Sequence, residues 1–466
     1  INAKWVMGTL RMSNTETTFL RIEHYSDHPE VLHAAQLLVS RLKDQRTIRE
    51  EAKYIAAAKK LIASIYVRDE LLFRMSTKKE YYSTKKRKQV WLTQKTLTLF
   101  DVMKELEMVE IVQDAVPPMK MKKDRFGKGL TTVYSATSAF HDLLSNVTTK
   151  DIVFDTSAPR VELKDAEGTI AALPHTYLKS KSYEKTAKVL DSHYELLLNS
   201  NITAANGSLL PQSHLFYVRK FTETLSQGGR FYSSFVNQPK DFRIGITFDG
   251  ERAGSLDFSQ LHPTLILRLN HGIEKENNLF ALGDVYAMPM YPDLPRSAHK
   301  TFINIVLNAK SIDAAARSIM TARWHWDDDD QSWIVKTYSG KTKQRRSGDP
   351  VFPEKPKAAA MKYIEDFLFT HPMFEPAANS GQWALLQLID SEIIQHVLRM
   401  ATKLNIPVLP VHDEVVIPQS AKPTIELMMA RAFQSVLRGR ADTGSVRMDW
   451  TTPEIAKEPV VVALDH

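Results

Sequence analysis

Two short stretches carry the side chains best suited to chemistry. The first, Gly254-Ser-Leu-Asp257-Phe-Ser-Gln260-Leu-His262-Pro263, reads as a strand that ends on an acid and turns directly into a helix. The strand side runs from Arg243 to Phe248, turns at Asp249-Gly250 and returns through Ala253 to Leu256, an Asp-Gly hairpin pattern. On the helix side Leu261, Leu265, Leu267 and Leu269 form an apolar run, with Pro263 in the first turn, where proline is tolerated. Asp257 is thereby placed at the lip of a sheet, its backbone fixed and its carboxylate free. Taken alone it reads as a helix cap. The second stretch, Asn405 to Pro418, is two apolar arms separated by His412-Asp413-Glu414, the pattern of two buried antiparallel strands joined by a tight polar turn. Acids at a strand end and at a hairpin tip can share divalent cations. Two such ions about 3.5–4 Å apart clamp the attacking and leaving oxygens of a phosphoryl transfer. Between the two stretches, Arg296 and Lys300 lie one helical turn apart on one face, which in isolation reads as an exposed cationic surface.

The order of these pieces carries a resemblance. Leu256-Asp-Phe-Ser-Gln-Leu-His-Pro263 resembles motif A of the family A DNA polymerases, and Val411-His-Asp-Glu-Val-Val-Ile-Pro418 resembles their motif C. Arg296-Ser-Ala-His-Lys300 through Asn308-Ala309 is similar to motif B, in the order A, B, C. The resemblance implies a right-hand polymerase of the α+β class: palm, fingers and thumb, an antiparallel palm sheet, and a largely helical, basic N-terminal region. It implies two magnesium ions, replaceable by manganese, held by Asp257, the backbone carbonyl of Phe258 and Asp413, with Glu414 completing the catalytic group. Magnesium suits such a site because it prefers carboxylate oxygens and substrate phosphates to a full protein cage. Arg296 and Lys300 would neutralise a triphosphate, and Lys300 would protonate pyrophosphate. His262, Asn304, Asn308 and Tyr286, the last in an Asp284-Val-Tyr element similar to one near the family's incoming nucleotide, would line the nucleotide pocket. Arg230 in Gly228-Gly229-Arg230 resembles an arginine that contacts the primer–template, and a glycine pair lets a backbone approach a phosphate. Gln387 and His412 would also meet nucleic acid. The implied partners are primer–template DNA, nucleoside triphosphates and replication accessory proteins.

Departures from the family pattern fall on sugar selection. His262 stands where the family has a glutamate, Asn308-Ala309 where it has Tyr-Gly, and Asn304 where it has an aromatic residue. RNA synthesis by a single-subunit RNA polymerase or primase-like enzyme on the same palm therefore stays open. So does a catalytically inactive DNA-binding replication protein. Asp155-Thr156 is reminiscent of a proofreading exonuclease, but Ser157 stands at the position of its second acid, so no exonuclease is expected.

The chain around these motifs is 466 residues long, enough for about three domains. Hydrophobic residues at 43% supply a packed core, and a net charge of +7 suits a polyanionic partner. With no cysteine, disulfides and thiol catalysis are excluded and a reducing compartment is favoured. No run reads as a signal peptide or a bilayer span, so a cytoplasmic replication protein of bacterial, phage or mobile-element type is expected. Residues 1–150 read as a basic region: helical periodicity over 28–73, a helix from Leu92 to Val109, then Lys120, Lys122, Lys123, Arg125 and Lys128 around a glycine-containing hairpin. That order is compatible with a winged-helix module touching duplex backbone, or with a basic surface that binds nothing. Residues 151–225 are expected to be a thumb-like helical segment with Lys179, Lys181, Lys185 and Lys188 on its main helix. Palm is expected at 226–270, fingers with an insertion at 271–375, and palm again at 376–466, where Gln382 to Lys403 reads as one helix.

Overall fold

The computed structural model describes residues 17–20, 22, 24–67, 72–75, 93–113, 120–121, 125–126, 132–166, 168–271, 284–327, 332–337, 348–378, 380–438, 446–452 and 458–462. The chain divides into two compact units, Ile1–Ala158 and Pro159–His466. The first break thus falls later than the sequence expectation at 150. No helix among the described residues is long and apolar enough to cross a membrane.

Strands of the first unit are β1 (Thr17–Phe19), β2 (His24–Tyr25), β3 (Leu72–Arg74), β4 (Val109–Gln113), β5 (Lys120–Met121), β6 (Arg125–Phe126), β7 (Val133–Ala136) and β8 (Val153–Phe154). Its helices are α1 (Pro29–Gln45), α2 (Glu51–Tyr66), α3 (Gln94–Glu105) and α4 (Ser138–Asp142). Helix α1 starts where Pro29 needs no N–H donor and the His28 ring accepts from Glu30 N at 3.3 Å. Its apolar stripe, Val31, Ala34, Leu38 and Leu42, is buried with Leu61, Ile62 and Ile65 of α2 and Leu99, Phe100 and Met103 of α3. A sheet in the order β1-β3-β7-β4 contributes Phe73 and Tyr134, whose rings meet Phe100 edge-on at 6.1 and 4.9 Å. Strands β5 and β6 pair as a short hairpin. Lys122, Lys123 and Lys128 lie outside the described residues, as does the Arg125 side chain. Asp155 is held within this unit by Lys60 and by the amide and hydroxyl of Ser157, which is a local structural role.

In the second unit the strands are β9 (Val161–Lys164), β10 (Ile170–Ala171), β11 (Ile202–Thr203), β12 (Val218–Thr222), β13 (Thr224–Tyr232), β14 (Thr247–Phe248) and β15 (Glu251–Phe258). They continue as β16 (Arg323–Asp327), β17 (Ser332–Lys336), β18 (Leu409–Val411), β19 (Glu414–Pro418), β20 (Val446–Thr451) and β21 (Glu458–Val462). Its helices are α5 (His175–Leu178), α6 (Lys181–Leu198), α7 (Gln212–Leu215), α8 (Lys240–Ile244) and α9 (Leu261–His271). After these come α10 (Arg296–Asn308), α11 (Ile312–Ile319), α12 (Pro356–Thr370), α13 (Trp383–Lys403) and α14 (Lys422–Leu437).

The fold is mixed α and β with antiparallel sheets. Among the described residues the main sheet runs β11-β14-β15-β19-β18, with β20 also on β15 and β21 on β20, antiparallel throughout. A second sheet, β10-β9-β12-β13, contains one parallel pair, β9 with β12. Helix α13 packs against β13, α6 and α14 and buries Leu386, Ile389, Ile393, Ile394, Val397 and Leu398, while Leu385 is exposed and Leu388 only partly buried.

Two expectations are corrected. The strand expected from Arg243 to Phe248 is shortened to β14, two residues, because Pro239 opens a helix, α8, that runs to Ile244 before Gly245 ends it. The Asp249-Gly250 turn is as expected, with both residues at positive φ, 50° and 85°, the I′ pattern. Secondly, the segment expected to be helical over 151–225 contains one long helix, α6, capped by Ser180 on Tyr183 N at 3.2 Å. Around it in the sequence lie the short strands β8 to β12 and the short helices α5 and α7. The hairpin β12–β13 runs straight through the expected boundary at 225. Within the expected insertion, β16 and β17 form an antiparallel pair. Most of its acid run, Asp328 to Asp330, lies outside the described residues.

Candidate active site

Asp257 sits near the end of β15 and is paired on both edges, with Glu414 of β19 on one side and Asp449 of β20 on the other. Directly opposed residues of antiparallel strands project from the same face. Three carboxylates therefore form one row across three strands, an arrangement in which like charges repel at short range. Asp449 was not found from the sequence. The available signal was the alternation Val446, Met448, Trp450 against Arg447, Asp449, Thr451, which marks a strand but not its neighbour. The register is pinned by Gly254. A Cβ there would lie 2.4 Å from the Trp450 ring, so only glycine lets that indole lie against β15.

The β18–β19 turn is tighter than expected. Val411 pairs with Glu414, leaving a two-residue loop of His412 and Asp413, with Glu414 already in the strand. Only His412 has positive φ, 62°, as at the first position of a II′ turn, where glycine is usual. Its ring stands edge-on to Tyr232 at 5.6 Å, and burial holds it below the usual imidazole range. Glu414 Oε2 lies 3.7 Å from Arg243 Nη2, while its Oε1 is buried without a hydrogen-bond partner.

These acids act on one another. Burial, then the charges of Asp413 and Glu414, push the Asp257 carboxyl well above the usual carboxylate range; Lys300 opposes the shift and Asp449 adds to it. The charge of Asp413 also reaches Arg230 and Tyr286. Among the described residues no three His, Asp or Glu side chains form a metal cage. The donor set nonetheless fits divalent cations held by two carboxylates, with water and substrate completing the shell. The acids crowd one end of the sheet, and a buried oxygen of Glu414 lacks a donor. Phe258 ends β15 opposite Met448, its ring packed on Phe433 at 6.2 Å.

Helix α10 is continuous from Arg296 to Asn308 and buries Ala298, His299, Phe302, Ile303, Val306 and Leu307. Arg296, Lys300, Asn304 and Asn308, spaced by four, share another stripe. The Arg296 guanidinium pairs with Asp284, Nη2 donating to Oδ1 at 2.8 Å, and lies 5.3 Å from the Tyr286 ring centroid. The buried Tyr286 hydroxyl donates to Asn304 Oδ1 at 3.4 Å. Asn308 Nδ2 donates to the Asn304 carbonyl at 2.7 Å, and its Oδ1 is buried without a partner. Gln260 Oε1 accepts from Val285 N at 2.8 Å, tying the Asp284–Tyr286 loop to the end of β15. Lys300 is exposed.

A second buried network adjoins this one and was also missed from sequence. Asp390 of α13 is fully buried. It accepts from Arg230 Nε at 2.9 Å and from Arg230 Nη2, and its Oδ2 lies 3.1 Å from His262 Nε2. Arg230, expected to meet the primer–template, is therefore engaged by a protein carboxylate. His262 is oriented by the same oxygen. The pair Gly228-Gly229 forms a bulge opposite Phe221: a Cβ on Gly229 would lie 2.8 Å from the Phe221 ring and 2.9 Å from Arg219, a packing reason for glycine. Gln387 is half-buried one turn before Asp390.

The chain matches no protein-family model and no curated protein sequence. Among solved structures, the polymerase domain of Pol1 from M. smegmatis, in complex with DNA primer-template and dNTP, aligns over 92% of this chain and 67% of its own at 14% identity. The TM-score is 0.29, too low to establish a common fold.

Proposed function

We propose that this chain is a template-directed DNA polymerase that adds dNTPs to a primer 3′ end. Palm elements would be the β14–β15–β19–β20 region, and fingers would be built around α10. One observation carries the proposal: the acids of two sequence motifs, Asp257 and the Asp413-Glu414 pair, meet at one end of the sheet within reach of the Lys300 charge. Asp257 and Asp413, with the Phe258 carbonyl, would hold two magnesium ions. When bound, such ions activate the primer hydroxyl and carry the triphosphate with its leaving group.

The chain's own residues do the remaining work. Lys300, exposed on α10, meets the triphosphate and delivers a proton to departing pyrophosphate. Arg296, fixed by Asp284 and stacked over Tyr286, places a second positive charge one turn away without a search among rotamers. Tyr286, Asn304 and Asn308 form a polar wall along the same helix face. His262, held by Asp390, presents a stiff ring at the position that the resemblance associates with the sugar. Asp449 adds negative charge beside Asp257 and strengthens retention of the cations. Ser157 stands where a proofreading site would need its second acid, so a mismatched primer end is expected to stay untrimmed.

The test is primer extension with dNTPs and rNTPs on DNA and RNA templates. Extension with dNTPs on DNA is expected, with His262→Ala raising relative use of rNTPs. Preference for rNTPs, falling in His262→Ala, would assign the histidine as a ribose reader and the chain as an RNA polymerase. No extension with any combination would leave a nucleic-acid-binding protein with an inactive palm.

A further inference from the structure

A cleft of about 330 Å³ opens between α6, α13, the end of α14 and strand β12, and none of its lining residues belongs to the carboxylate row. Lys185, Arg219 and Arg399 line it, with His396 and one acid, Glu392. Arg219 is 5% exposed. Its Nε donates to the Gly229 carbonyl at 2.8 Å, Nη1 to Gln395 Oε1 at 2.7 Å and Nη2 to Ser391 Oγ at 2.8 Å. Its plane lies near the Phe221 and Phe231 rings, 4.9 and 5.4 Å from their centroids. Its hydrogen-bond partners are all neutral. Burial lowers the proton affinity of the guanidinium to about 10, still far above neutrality, and the charges of Glu392 and Asp390 act on it without matching that burial. The fold therefore maintains a buried positive charge facing a polar cleft, with two more cations at its walls.

The remaining groups favour an oxyanion. His396 Nδ1 lies 3.5 Å from Arg399 Nη2, a donor only, so the ring nitrogen left to carry the proton is Nε2, another donor. Thr186 is bridged through Gln395 to Arg219, which fixes the wall. Three cations against one acid match a phosphate group, and arginine suits phosphate by its planar fork. The volume exceeds a single phosphate and leaves room for an attached sugar or a second phosphate. Lys185 of α6 lines the cleft, while Lys188 on the same helix and Lys179, just before it, do not.

We infer that this cleft binds a phosphate group, either a backbone phosphate of a nucleic-acid strand or a free phosphate such as pyrophosphate. The inference does not depend on the polymerase reading. The test uses Lys185→Gln/Arg399→Gln, because Arg219→Gln breaks three buried hydrogen bonds and endangers folding. The control is Lys179→Gln/Lys188→Gln, with the same loss of charge outside the cleft. Two probes are measured on the full chain: inorganic pyrophosphate by calorimetry and a fluorescein-labelled primer–template duplex by anisotropy over a KCl series. The cleft variant should lose about tenfold or more in affinity for at least one probe. If the duplex is the ligand, its log–log salt slope should flatten by about two, with the control changing far less. Loss confined to pyrophosphate assigns free phosphate; loss on the duplex assigns the backbone. Unchanged binding of both probes, or equal losses in cleft and control variants, overturns the proposal.

Discussion

Asp257 bears the strongest conflict of charges at the proposed site. Its carboxyl is pushed up by burial and by Asp413, Glu414 and Asp449, so the folded protein holds its proton more tightly than the unfolded chain does. Stability from such a group is present below the unfolded value, about 3.9, and is lost as pH rises through the folded value. Replacement by asparagine removes that loss. Cation-free Asp257→Asn should therefore be more stable than wild type by about 0.5–1 kcal/mol at neutral pH, with the advantage shrinking towards pH 4. Magnesium should narrow the gap by stabilising the wild type alone. Urea midpoints in chelator and in magnesium check this; a less stable asparagine variant in chelator would show that the acids are not in conflict. Motif order singled out Asp257, Asp413 and Lys300 in the sequence, and the fold brings their charges within reach of one another. Asp449 and Asp390 were missed. Each sits in an element read for its apolar period, and its meaning depends on which strand or helix lies beside it.

At the scale of elements, the row of acids depends on β20 keeping its register against β15, and Gly254 is the device that sets it. Slipping by one residue would turn Asp449 to the opposite face. Gly254→Ala should drive the Trp450 ring from its place, with an overpacking cost of about 2 kcal/mol and a shift in tryptophan emission. Unchanged stability and emission would mean that the register is set elsewhere. Long elements were readable from their periods: α3 and α13 fall close to their expected spans, and α1 and α2 lie within the stretch read as helical over 28–73, whose end is β3 instead. Short ones were not. The Arg243–Phe248 stretch alternates like a strand but follows Pro239, and the helix opened there takes Arg243 and Ile244 and leaves two residues of strand. Strands β12 and β13 were hidden because two glycines and a bulge break their alternation.

For the whole molecule, the net charge of +7 suits the nucleic-acid partner proposed above. If the basic hairpin of the first unit touches duplex backbone, changing Lys122, Lys123, Arg125 and Lys128 to serine should flatten the salt dependence of duplex binding by up to about four in log–log slope. An unchanged slope assigns those residues to an idle surface. The central claim, however, is that Asp257 and Asp413 carry nucleotidyl transfer together. Its most direct test is the single-turnover rate of primer extension by Asp257→Asn and Asp413→Asn in magnesium, with duplex affinity measured on the same preparations. The expected result is a loss of about a thousandfold or more in rate for each variant, with duplex affinity within about threefold of wild type. Extension by either variant at the wild-type rate would contradict the assignment of the site.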